Sequence, residues 1–164
     1  MATLLEDATR NKLAPFNPTS DDAIGAALDM AAVGPTDIVY DLGCGDGRLL
    51  VAAAGRGASG VGVEYDAKFV GRATEAVAAN GVGHLVRIVH GDALDVVLTE
   101  ATVVFIYLVP EGIAKVLPRL EAARARGCRV VSNMFKVPGW EPDEVRRAKG
   151  LPVYFYAGGA LAAE

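Results

Sequence analysis

The sequence is poor in cysteine, in histidine and in uninterrupted apolar stretches, and each shortage removes a class of protein. Cys44 and Cys128 are its two cysteines, far apart and outside any C-x-x-C spacing, which excludes a zinc ribbon or a redox dithiol and fits a reducing compartment. His84 and His90 are the only histidines, too few for a histidine-rich metal site, and no metal is expected. No apolar run approaches the ~20 residues that span a bilayer. Glu6 and Asp7 stand where a secretory signal would be basic and then apolar. The expectation is an intracellular protein without a transmembrane segment, cytoplasmic by default. Basic residues are outnumbered as well: 16 Lys and Arg face 20 Asp and Glu, for a net charge of −4. That balance argues against a domain built to hold nucleic-acid phosphates, so no nucleic-acid partner is expected. Residues 111 to 150 invert it locally, with nine Lys or Arg against five Asp or Glu, and read best as a solvated basic face.

What the chain has is 164 residues, 52% of them hydrophobic, and 19 glycines, enough for one domain with its own core. Residues 1 to 19 lack periodicity, and Pro15 and Pro18 exclude a regular helix there. They form an expected N-terminal arm, ahead of a single domain over residues 20 to 164. Thr19 or Ser20 can cap a helix that carries Asp21 and Asp22 in its first turn and repeats Ile24, Leu28 and Ala31 at helical spacing. Strands are predicted over 38 to 42, 59 to 64, 86 to 89, 102 to 108 and 130 to 135, and helices over 49 to 54, 67 to 79 and 111 to 126. Residues 143 to 148 and 152 to 156 flank Lys149-Gly150 as a terminal antiparallel hairpin. Strands alternating with helices predict an α/β fold: a Rossmann-like, doubly wound, mainly parallel sheet with helices on both faces. Such a sheet binds ligand outside the carboxyl ends of its strands.

The densest chemistry lies at Asp41-Leu42-Gly43-Cys44-Gly45-Asp46-Gly47-Arg48, where a strand runs into a glycine turn and then a helix. Glycine admits positive φ and close backbone approach, which suits a nucleotide-like cofactor. A dinucleotide site wants G-x-G-x-x-G, but Arg48 occupies the third glycine position and Gly47 falls one place early. The spacing is instead Asp-x-Gly-x-Gly-x-Gly. Glu64 ends the second strand, where a carboxylate can take both ribose hydroxyls, and Asp92 ends the third, where it can accept an adenine amino group. Taken singly, Asp41 is equally a turn-former, Glu64 a surface acid and Asp92 an Asx-turn.

This pattern resembles motif I of the seven-strand, S-adenosylmethionine-dependent methyltransferases. With Gly62-Val63-Glu64, Tyr107-Leu108-Val109-Pro110, Phe135-Lys136-Val137-Pro138-Gly139-Trp140 and the upstream Pro15-Phe16-Asn17-Pro18-Thr19, it is similar to one branch in particular. That branch is the protein-lysine methyltransferases acting on adenine nucleotide translocase and the ATP synthase c-subunit. The resemblance implies S-adenosylmethionine as cofactor, a protein lysine as acceptor and, for the animal members, a mitochondrial setting. The candidate cofactor set is Asp41, Gly43, Cys44 and Gly45 of the turn, Glu64 with Tyr65, and Asp92 with Ala93.

Methyl transfer needs an aligned, deprotonated acceptor rather than a covalent nucleophile, and a lysine of pKa ~10.4 must lose its proton first. Tyr107 and Asn133, at the ends of the fourth and fifth strands, are the candidate methyl-transfer residues. Phe16, Pro18, Thr19, Pro110 and Trp140 are candidates for a substrate pocket. Each has a plainer reading: an aromatic at a strand end packs, Trp140 anchors the last loop, and the arm covers a sheet edge. A small-metabolite methyltransferase and a non-catalytic S-adenosylmethionine-binding module are the alternative functions, with a nicotinamide-dependent reductase more distant.

Overall fold

The computed structural model describes residues 18–159; the reading of Phe16 as a pocket residue, and most of the arm, lie outside them. Twelve elements follow in chain order: α1 (Asp21–Met30), β1 (Ile38–Leu42), α2 (Arg48–Gly55), β2 (Ser59–Glu64), α3 (Ala67–Ala79), β3 (Val86–His90), a 3₁₀ turn (Ala93–Asp95), β4 (Val103–Ile106), α4 (Pro110–Ala125), β5 (Arg129–Asn133), β6 (Glu144–Ala148) and β7 (Leu151–Tyr156). The strands form one sheet in the order β3-β2-β1-β4-β5-β7-β6. The first five are parallel, and β7 then β6 add antiparallel. The chain reverses its direction of travel across the sheet between β1 and β4. The crevice beside β1 is therefore the topological switch point.

Alternation along the strands divides the core in two. Val39, Phe105 and Val131 face α1, α2 and α3, while Tyr40, Leu42, Val104, Ile106 and Val130 face α4 and the 3₁₀ turn. α1 is capped by Ser20, whose Oγ accepts from the Ala23 amide at 3.2 Å. Its buried stripe of Ala23, Ile24, Ala27 and Leu28 closes the antiparallel end of the sheet. Among the described residues no helix is long and apolar enough to cross a membrane.

Two strands end earlier than hydropathy suggests. β4 stops at Ile106, so Tyr107 and Leu108 belong to the connection into α4, which begins with Pro110 at its first position. β5 stops at Asn133 rather than Phe135 because Met134 turns to φ 73°, a left-handed conformation that no strand continues. In both places an apolar run continues past the last ladder hydrogen bond, and composition alone does not mark where the backbone leaves the sheet.

At the amino ends of the strands, away from the glycine turn, Asp37 is buried and links three elements. Its Oδ2 accepts from the Gly34 amide at 3.0 Å, and its Oδ1 accepts from Thr102 Oγ1 at 2.8 Å and from the Arg129 guanidinium. Thr102 Oγ1 in turn accepts from the Ile38 amide at 2.8 Å. This network fastens β1, β4 and β5 together on the side opposite the site, and sequence reasoning did not identify it.

Candidate active site

All three glycines of the turn are left-handed: Gly43 has φ 79°, Gly45 φ 55° and Gly47 φ 82°. A side chain at any of them would be strained, which explains their alternate spacing. The turn is held from below by β2. The Gly43 and Cys44 amides both donate to the Val63 carbonyl, at 2.8 and 3.1 Å, and Gly47 closes onto the Cys44 carbonyl at 3.0 Å. A second pair of glycines makes room for this arrangement. A Cβ on Gly62 would stand 2.7 Å from both Cys44 Sγ and Leu50 Cδ1, and one on Gly60 would stand 2.8 Å from Leu50 Cδ2. Gly60 was not singled out from the sequence, although its i, i+2 spacing from Gly62 on one strand face was the signal. On the helix side, a Cβ on Gly47 would meet Ala73 Cβ at 3.2 Å, so α3 packs directly onto the turn.

The carboxylates gather around this turn. Glu64 Oε1 accepts from the Gly45 amide at 3.0 Å and its Oε2 from the Asp66 amide at 2.8 Å. Each carboxylate oxygen keeps a second lone-pair site for a ligand hydroxyl. Asp41 is buried, and burial, with the neighbouring charges of Glu64 and then Asp46, raises its pKa to about 8. A buried carboxyl with that proton affinity is a natural partner for a cation, which would favour its charged form. Asp46 and Arg48 form an ion pair at 2.7 Å, and Arg48 Nη1 reaches the Thr19 carbonyl at 3.5 Å, which brings the end of the arm against the turn. Asp92 caps the 3₁₀ turn, its Oδ1 accepting from the Leu94 amide at 2.9 Å, with Ala93 buried beside it. Tyr65 is exposed, and its carbonyl accepts from His90 Nε2 at 2.9 Å. Cys44 is buried, with its thiol pKa pushed up first by burial and then by Asp41.

The acceptor-end candidates separate into two groups. Asp41, Phe105 and Val131 share one register row and one sheet face. Two residues further along lie Gly43, Tyr107 and Asn133, at the carboxyl edge of β1, β4 and β5. Tyr107 packs on the core of that face, and its hydroxyl lies 3.8 Å from Met134 Sδ. Asn133 is buried, and its Oδ1 has no hydrogen-bond partner. Thr19 and Pro18 lie where the arm meets Arg48, and Pro110 is exposed at the start of α4. Trp140 sits elsewhere. It is 3% exposed on the opposite face of the sheet, edge-on to Tyr156 at 5.3 Å and under the Arg124 guanidinium at 4.5 Å. There it anchors the segment between β5 and β6.

A seven-strand sheet with an antiparallel end, three left-handed glycines at its switch point and acids closing β1 and β2 around them fits a nucleoside-bearing cofactor that presents a cation and ribose hydroxyls. Those features define a class I S-adenosylmethionine-dependent methyltransferase. The chain belongs to the family described as the ANTKMT methyltransferase domain, whose model matches residues 41–144. It is 39% identical to a protein-lysine N-methyltransferase from Saccharolobus islandicus over 80% of this chain and 83% of that protein. It is 30% identical to the Xenopus laevis lysine N-methyltransferase of the ATP synthase c-subunit, over 84% of this chain and 61% of that one. The crystal structure of an RNA methyltransferase from Salinibacter ruber in complex with S-adenosyl-L-homocysteine superimposes with a TM-score of 0.83 at 36% identity. That match covers 90% of this chain and 97% of the other.

Proposed function

We propose that this enzyme transfers methyl from S-adenosylmethionine to the side-chain amine of a lysine in a protein. The observation that carries this reading is the charge of the rim where an acceptor must enter. The connections leaving the carboxyl ends of β1, β2, β3 and β4 bring Asp46, Asp66, Asp92, Asp95 and Glu111 to that rim, beside the strand-end acid Glu64. Arg48, Lys68 and Lys115 are the cations close to them in sequence and Arg72 shares a hollow with Asp46, so the acids outnumber the cations, and Arg48 is already paired with Asp46. Such a mouth attracts a cationic lysine segment and repels a phosphate backbone. The archaeal and animal relatives named as lysine methyltransferases support the same acceptor. The RNA methyltransferase relative is the ground for a second reading, RNA as acceptor, and the acidic rim weighs against it.

In this reading Asp41 faces the cationic amino-acid end of the cofactor, Glu64 the ribose, and Asp92 with Tyr65 and Ala93 the adenine end. Gly43, Cys44 and Gly45 allow the backbone to approach. S-adenosylmethionine supplies an electrophilic methyl group on a sulfonium. The chain supplies alignment and a site where the amine arrives without its proton. Tyr107 lines the acceptor end. The buried free thiols of Cys44 and Cys128 suit a reducing, intracellular setting.

Labelled methyl transfer from S-adenosylmethionine into a cell extract, counted separately in protein, RNA and small molecules, tests the proposal. Label recovered from protein as methyl-lysine is expected. Label confined to RNA or to small molecules would replace the acceptor assignment and leave the methyltransferase standing.

A further inference from the structure

Asn133 is a buried polar side chain at the carboxyl edge of the sheet, and the described fold leaves its amide oxygen without a hydrogen bond. Its neighbours are satisfied without it. The Asn133 carbonyl accepts from the Phe135 amide at 2.9 Å, the Met134 amide donates to the Pro152 carbonyl at 2.7 Å, and Ser132 Oγ donates to the Phe135 carbonyl. The turn after β5 is therefore fixed by backbone and serine, and the Asn133 amide oxygen contributes nothing to closing it. At 3% exposure, an unpartnered carbonyl oxygen has given up its water without a replacement, which is unfavourable. Such a group calls for an explanation, and at the carboxyl edge of the sheet a ligand that binds there supplies one.

Position identifies the partner. Asn133 is paired with Val153 on β7, and two residues back Val131 pairs with Phe105, which pairs with Asp41. The Asn133 side chain therefore projects on the same sheet face as Asp41 and Tyr107, at the carboxyl edge and one step beyond Asp41. In the reading proposed above, that edge is where the acceptor meets the cofactor. We propose that Asn133 Oδ1 is the hydrogen-bond acceptor that holds the attacking amine during methyl transfer, a role that rests on the lysine reading above. The entering amine parts the long 3.8 Å contact between Tyr107 Oη and Met134 Sδ, which joins the ends of β4 and β5 beside Asn133.

The chemistry follows from an amide being neutral. A carboxylate in this place would stabilise the ammonium form and hold the proton on nitrogen. An amide oxygen accepts one N–H of the neutral amine and leaves its lone pair free to point at the methyl carbon. The nitrogen lone pair forms the new N–C bond, and the electron pair of the broken S–C bond stays on sulfur. The product ammonium then loses a proton to water. Asn133 thus orients the amine without taking part in proton transfer.

The test compares wild type, Asn133→Ala and Asn133→Asp in three measurements: labelled methyl-lysine formed in an extract against pH, calorimetric affinity for S-adenosylhomocysteine, and the Asn133 side-chain amide resonances during titration with n-butylamine in alkaline buffer. In N133A, methyl-lysine formation is expected to fall about tenfold or more, with S-adenosylhomocysteine affinity within about twofold of wild type, which also certifies the fold. N133D is expected to keep measurable transfer with its pH profile displaced to higher pH, because the carboxylate favours the ammonium; a packing role would not move the profile. n-Butylamine is expected to shift the wild-type side-chain resonances without any turnover. Wild-type transfer rates in N133A, or parallel loss of cofactor affinity and activity, would overturn the assignment. If wild type labels no lysine, the lysine reading fails, and the n-butylamine titration decides the amine-holding role by itself: unmoved resonances reject it.

Discussion

Glu64 Oε1 accepts the Gly45 amide at 3.0 Å, so the acid that closes β2 grips the middle glycine of the turn that follows β1. A residue proposed for the ribose thus also sets the shape of the turn, and its two oxygens reach different backbone amides, Gly45 and Asp66. If the ribose assignment holds, turn geometry and cofactor affinity are coupled through one side chain.

Replacing Glu64 should therefore cost more than a lost ligand contact. Glu64→Ala is expected to weaken S-adenosylhomocysteine binding by about a hundredfold, as two charge-assisted interactions disappear. Glu64→Gln, which keeps one acceptor, should lose less. Calorimetry measures both, and an unchanged affinity in the alanine variant would refute the ribose assignment.

Asp41, proposed to face the cofactor's cation, costs stability as it ionises, and the sign of the pH dependence is fixed by its pKa. In the native protein it titrates at about 8, against roughly 3.9 in an unfolded chain. Between those values the native state binds more protons than the unfolded state, so this group's contribution to stability falls as pH rises from 4 to 8. Asp41→Asn should remove that fall. Its thermal midpoint, relative to wild type, is expected to be higher at alkaline pH than at mildly acidic pH, while cofactor affinity drops. A constant difference in midpoint across this range would show that Asp41 is not the titrating group.

Gly62 is a steric requirement rather than a conformational one. A methyl group there meets Cys44 Sγ and Leu50 Cδ1 at 2.7 Å, and Leu50 is fully buried. Gly62→Ala is expected to destabilise the fold by about 1–3 kcal/mol, the usual range for overpacking, and to shift the glycine turn through Cys44. Chemical denaturation reads the first effect. A fall in cofactor affinity at a temperature where the variant remains folded reads the second.

Asp37 offers the converse separation. It is buried against Thr102, Arg129 and the Gly34 amide at the end of the sheet away from the glycine turn. Asp37→Ala leaves the guanidinium without its partner and is expected to cost about 3 kcal/mol. The folded fraction should bind S-adenosylhomocysteine with wild-type affinity. A variant that binds weakly while fully folded would show that the network extends its influence across the sheet.

The alternation of strand and helix, the hairpin at Lys149-Gly150 and the glycine turn were legible because each depends on neighbours in sequence. Val103 to Ile106 is apolar enough to be a buried strand wherever it lies, and Ser20 caps a helix whatever the helix packs on. The ends of β4 and β5 were not legible. Tyr107 and Phe135 have strand-like composition, and only the backbone turn at Met134 and the start of α4 at Pro110 take them out of the sheet. Trp140 was equally ambiguous: the same Pro-Gly-Trp sequence serves a pocket or a core, and contact with Arg124 and Tyr156 puts it in the core.

By itself the sequence determined the conformations that a single residue controls. Glycines 43, 45 and 47 can take left-handed φ because they lack a Cβ, and that property exists before any fold does. Tertiary structure decided everything that depends on distance across the sheet: that Glu64 reaches Gly45, that Gly60 and Gly62 clear Leu50, that Asp41 is dry enough to hold its proton to about 8, and that Asn133 is buried with an unpaired oxygen. The reason is that steric freedom is a local property of the chain, whereas desolvation and hydrogen-bond partnership are set by strands brought together from remote positions.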